Sequence, residues 1–245
     1  MTDAEWLACT SPEDMLDVLR DTSARKLRLF AVACCRRIWD LISEAPARLV
    51  VERAELYADK LTTKTGLRSS LNAATALQTY DEGRSTHYSG YALGAACYSA
   101  HCAPKVSEIR AAFEAALCAA PNASWARRLS CKSDESGAQD NDEVSPEDFI
   151  MQTVPGSYTA WKNERYSQSA LLRDIFGNAF LTLSPHPESI SPLAERIYAG
   201  EWNLMPILGE WLQEHGYWSE GEHCLDPNNR HVKGCWVVDW VTGRE

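Results

Sequence analysis

Toward its C-terminal end the chain reads EHCLDPNNRHVKGCW, a stretch that gathers His223, Cys224, His231 and Cys235. Imidazole nitrogen and thiolate sulfur are the ligand types that suit zinc, and His231-x3-Cys235 is a spacing that can chelate. The pattern departs from common closed sites. It contains no Cys-x2-Cys knuckle, and the adjacent side chains of His223 and Cys224 are expected to point apart. The same stretch carries a second chemistry, with Cys224 as nucleophile, His231 as base and Asp226 as the group that orients it. That reading describes a Cys/His-dependent or zinc-dependent hydrolase. It is the alternative, because triad partners are normally brought together by a fold and not by sequence proximity.

Other catalytic signatures are missing from the sequence: there is no Gly-rich phosphate loop, no HExxH, no GxSxG and no paired metal carboxylates at helical spacing. The leading expectation is therefore a non-catalytic helical interaction or accessory module that binds another protein. Its contact residues are sought among the late tryptophans, since six of nine, Trp161, Trp202, Trp211, Trp218, Trp236 and Trp240, fall in the last part of the chain. Tryptophan fills a small core and also anchors interfaces. Of the six, Trp202, Trp211, Trp218, Trp236 and Trp240 are the binding candidates.

The elements that must position these residues are helices. Leu27, Phe30, Ala31, Cys34, Ile38 and Leu41 lie within about 60° of one line at 100° per residue. Leu29, Val32 and Trp39 occupy the opposite side, so a helix over Arg25–Leu41 is apolar nearly all round and is expected to be enclosed by others. Ser11-Pro12-Glu13-Asp14 opens an earlier helix, with a Ser cap, Pro at the first position and acids against the positive end of the dipole. Further helices are expected from Pro46 to about Leu61 and over Leu67, Leu71, Ala74 and Leu77. Two more are expected over 88–103 and 107–120, and another from about Tyr158 to Phe176, stopped by Gly177-Asn178. Ser191-Pro192 and Pro206 open shorter ones. The tail GCWVVDWV has the β-branched and aromatic content of a strand. The predicted fold is mostly α: a multi-helix bundle over 1–130, an acidic exposed loop over 131–144, and a smaller Trp-rich helical part over 145–245. This last part carries one or two short strands and packs on the bundle.

Composition narrows the function classes. The 245 residues carry a net charge of −10, divided unevenly. Residues 1–130 hold 16 Lys+Arg against 15 Asp+Glu, a net of +1, and residues 131–245 hold 8 against 19, a net of −11. Such a C-terminal surface repels phosphate backbones. Nucleic-acid association would rest on the N-terminal Arg25, Lys26, Arg28, Arg36 and Arg37, or on Arg127 and Arg128, without the exposed aromatics of common nucleic-acid modules. It is a further alternative to protein binding. No apolar run is long enough for a membrane span, and the acidic opening MTDAEWLACTSPEDM does not fit a signal peptide. A cytoplasmic location with reduced cysteines is expected, and the cysteine count of nine is odd.

Two stretches carry a resemblance. EWLACTSPEDMLDVLRDTSARKLRLFAVACCRRIWDLI at the start, and LLRDIFGNAF, MPILGEWLQEHG and HVKGCWVVDWVTGRE toward the end, are similar to a family of predicted proteins abundant in planctomycete-type bacteria. The similarity implies that both ends belong to one recurring architecture, with the acidic loop an insertion. No activity is established for that family, so it supplies no functional residue.

Overall fold

The computed structural model describes residues 1–19, 22–42, 44–81, 157–180 and 187–244. Among these residues the protein is mostly helical, with ten α-helices and no strand. The expected helices over 88–103 and 107–120, the acidic loop over 131–144, and Arg127 and Arg128 lie outside the described residues.

Helix α1 (Asp3–Ala8) begins with a capping box in which Thr2 and Glu5 satisfy each other's backbone N–H. Helix α2 (Pro12–Val18) is capped by the Ser11 side chain with Pro at the first position. Helix α3 (Ala24–Arg37) is the enclosed one, and a 3-10 turn (Trp39–Leu41) continues it. Both its faces are buried: Leu27, Phe30, Ala31 and Cys34 on one side, Leu29, Val32 and Cys35 on the other. Helix α4 (Ala45–Ala58) packs on α3, and α5 (Lys64–Asp81) packs on α4. Helix α6 (Ser157–Phe176) closes the group, packing on α3 and α2 and adding Leu171, Leu172 and Ile175 to the same core.

A second core is built by α7 (Ser191–Tyr198), α8 (Met205–Glu214), α9 (Trp218–Leu225) and α10 (Trp236–Thr242). The strand expected over GCWVVDWV is replaced by α10. Its apolar groups recur at Val237, Val238 and Val241, helical spacing, and all are fully buried. The β-branched content reflects burial on nearly every side, and packing overrides strand propensity there. Gly243, in the left-handed region at φ 66°, ends the helix. No described helix is long and apolar enough to cross a membrane.

Arg25, at the start of α3, holds the two cores together through charge. Arg25 donates to Asp239 of α10 at 2.6 and 3.1 Å, to Asp59 at 3.2 Å and to the Tyr198 hydroxyl at 2.7 Å. The Tyr198 hydroxyl in turn donates to Asp59 at 2.6 Å. Burial pushes the Asp239 carboxyl above its ordinary value, with Arg25 pulling it back. At the other end of α3, Arg37 makes a two-pronged contact with Glu164 of α6, and Arg36 pairs with Glu55 of α4. Arg25, Arg36 and Arg37 of α3 are thus engaged by acids of the protein itself, while Arg28 lies over the Tyr57 ring.

The Phe30 ring is fully enclosed at the centre of the first core. Replacing it with alanine should cost about 3–5 kcal/mol, read as a lower urea midpoint with an unchanged slope; a parent-like midpoint would contradict the central position of α3.

Candidate metal centre

Asp174 lies in the last turn of α6, beside the apolar Leu171, Leu172 and Ile175. Its side chain is 3% exposed. His223 belongs to the last turn of α9, His231 to the connection that follows, and Cys235 is the residue that caps α10. The four come from different elements and meet at one point, where one ligand-type atom from each lies within 4.8 Å of all the others.

The Asp174 Oδ1 atom accepts from His223 Nε2 at 3.1 Å and from His231 Nδ1 at 2.8 Å. Its Oδ2 accepts from the Val232 backbone N–H at 3.0 Å, which fixes the plane of the carboxylate. The Cys235 sulfur lies 3.4 Å from His223 Nε2 and 3.7 Å from His231 Nδ1. The imidazole rings stand edge to face, centroids 5.0 Å apart.

Local sequence explains the convergence. The backbone N–H of Asn228 donates to the Asp226 carboxylate at 2.9 Å, forming the turn that brings the chain back after α9. Gly234 adopts φ 91° and sits so close to α3 that a Cβ there would meet Leu29 at 2.9 Å. Only glycine lets the chain pass at that distance and deliver Cys235. Gly177, at φ 65°, ends α6 just beyond Asp174, and a Cβ there would strike the Trp236 ring at 2.9 Å. Trp236 thus fits between Gly177 and the His223 ring, 5.3 Å from the latter.

The electrostatics favour a cation. Burial works to raise the Asp174 carboxyl, but hydrogen bonds from His223 and His231 outweigh it and hold it below the ordinary carboxylate range. Burial, with the Asp174 charge beside it, pushes the Cys235 thiol well up. A thiolate at Cys235 therefore needs a positive partner. One carboxylate, one thiolate and two neutral imidazoles carry two negative charges, the complement of a divalent ion. The cluster is able to hold a metal.

Three of the four residues singled out by sequence, His223, His231 and Cys235, belong to this quartet. Cys224 does not; its place is taken by Asp174. The Cys224 side chain is buried in the second core, and burial, followed by the charges of Asp174 and Glu220, raises its thiol. Asp226 is engaged with Asn228, while His231 faces Asp174. The proposed nucleophile, base and orienting group thus point to separate partners. Among the tryptophans, Trp236 is buried, Trp202, Trp211 and Trp240 are partly buried against the second core, and Trp218 is 67% exposed. Asp174 escaped sequence reasoning, although it left a signal. An acid on the apolar stripe of a helix, in the last turn where the dipole disfavours negative charge, requires a specific partner.

No family model, curated protein or solved structure matches the chain.

Removing the carboxylate tests the arrangement without any metal. Asp174→Ala should leave two imidazole donors and the Val232 N–H without their acceptor, at a cost of about 3 kcal/mol or more, measured by urea unfolding in the presence of chelator. Asp174→Asn, which keeps an acceptor oxygen, should recover part of that loss.

Proposed function

We propose that the protein is a zinc-holding helical module in which the metal has a structural role, bound by Asp174, His223, His231 and Cys235. The observation that carries this reading is the convergence of four ligand atoms of zinc-compatible type, within 4.8 Å of one another, in a buried position. Bond lengths of about 2.0–2.3 Å in a tetrahedron place ligand atoms roughly 3.3–3.7 Å apart. Four of the six edges here measure 2.8, 3.1, 3.4 and 3.7 Å, and the whole set spans no more than 4.8 Å, so side-chain shifts of up to about 1 Å would close it around the ion. A mixed nitrogen, sulfur and oxygen set in tetrahedral array suits zinc better than magnesium or calcium, which prefer six or more oxygens.

Four protein ligands complete the coordination of zinc and leave no position for an activated water. This supports a non-catalytic role over the hydrolase alternative. Bound zinc would join α6 to the segment leading into α10, and so hold the second core against the first. A role in binding another protein is compatible with this, and Trp218, a mostly exposed indole on α9, would be its anchor.

Protein purified without a polyhistidine tag should contain one zinc per chain by elemental analysis, and His231→Ala or Cys235→Ala should abolish retention. Metal at 100 times its dissociation constant adds about 2.7 kcal/mol, so chelation should lower the melting temperature by roughly 5–10 °C for a chain of this size. A metal-free parent that takes up no zinc on titration, with unchanged melting, would refute the reading.

A further inference from the structure

The quartet is not the whole of the site. The Asn229 side chain reaches back to His223 from the far side of the ring: its Nδ2 lies 3.3 Å from His223 Nδ1 and donates to the His223 backbone carbonyl at 3.0 Å. That carbonyl belongs to the last turn of α9, where helix carbonyls lack an intrahelical partner. The second contact settles the orientation of the amide, because its oxygen cannot donate to a carbonyl. A donor therefore faces His223 Nδ1.

This fixes which proton arrangement of the ring is satisfied. With the proton on Nε2, the ring donates to Asp174 Oδ1 and accepts from Asn229 through Nδ1, and both nitrogens are paired. Zinc bound at Nε2 requires the opposite tautomer, with the proton on Nδ1. That N–H would then face the Asn229 amide nitrogen, donor against donor. Relief comes only by turning the amide, which breaks its bond to the His223 carbonyl. The doubly protonated ring meets the same conflict. In many zinc sites the outer nitrogen of a ligand histidine donates to a carboxylate or carbonyl, and the ligand is thereby held in its metal-binding tautomer. At this position the outer partner has the reverse sense.

We infer that Asn229 is a positioning residue that holds His223 in its metal-free tautomer, weakening zinc binding at the quartet and making the metal exchangeable. This rests on the zinc reading above, and it assigns to a residue outside the ligand set the control of affinity. Asn229→Asp would give His223 Nδ1–H an acceptor and remove the conflict, at the loss of the bond to the His223 carbonyl.

The test titrates metal-free full-length protein with Zn²⁺ against a chromophoric chelator, comparing the parent, Asn229→Asp and Asn228→Asp. The last variant adds the same charge one residue away, at an exposed side chain that bonds to Asp226. Asn229→Asp should bind roughly 10-fold to 100-fold more tightly than the parent, and clearly more tightly than Asn228→Asp. Equal affinities for the two variants would overturn the proposal and leave the zinc site standing, whereas a parent that binds no zinc would end both. Nitrogen NMR of the parent's imidazoles needs no variant to fold. The metal-free protein should show His223 protonated on Nε2, and the zinc-loaded protein should show it on Nδ1; a metal-free ring protonated on Nδ1 would overturn the proposal.

Discussion

A carboxylate with its side chain 3% exposed has to be satisfied from within the protein, and Asp174 is satisfied entirely by one segment. Its two oxygens take hydrogen bonds from His223, His231 and the Val232 backbone, all beyond the end of α8. Desolvating a carboxylate costs several kcal/mol. The first core, to which α6 belongs, therefore cannot be completed without the connection between α9 and α10 lying across it. The turn at Asp226, the positive φ of Gly234 and the fit of Trp236 against Gly177 are the local means by which that connection reaches the carboxylate.

A second polar junction reinforces the first. Arg25 joins α3 to Asp239 on α10, while Lys233, between two of the quartet residues, lies 3.7 Å from both Glu55 and Asp59 on the α4 side. The C-terminal segment is thus bound to the N-terminal helices at both ends of one short run. Each buried ion pair is a modest source of stability by itself, because desolvation offsets much of the attraction. Together they fix the segment at two points, with Arg25 holding Asp239 of α10 and Asp174 holding His231 and Val232 ahead of it. Three of the arginines of α3, Arg25, Arg36 and Arg37, are paired in this way with acids of the protein itself.

Much of the helical architecture was legible from the chain. The apolar belt around Leu27, Phe30 and Cys34 announced an enclosed helix, and Ser11-Pro12, Ser191-Pro192 and Gly177 marked ends that the structure also has. The tail was misread because Val237, Val238, Trp236 and Trp240 carry strand-like chemistry, and only the surrounding helices show that they are buried in a helix. For the site, His223, His231 and Cys235 were visible because they crowd one stretch. Asp174 was not, since nothing local links LLRDIF to a ligand set far along the chain. Cys224 was drawn in by adjacency alone, whereas helical geometry turns it into the second core, away from its neighbour.

The ligand set has an uneven spread along the chain. His223 and Cys235 are 12 positions apart, whereas His231 lies 57 positions from Asp174. Closing the shorter loop costs little entropy, and closing the longer one costs more and comes later in assembly. On the zinc reading, the C-terminal residues would collect an ion as a three-toothed ligand before the helices dock, with Asp174 supplying the final bond. In that order of events the ion would travel with the tail, and its coordination shell would be completed as the tail arrives on α6. Completing the ion's coordination and docking the tail on α6 would then be a single step.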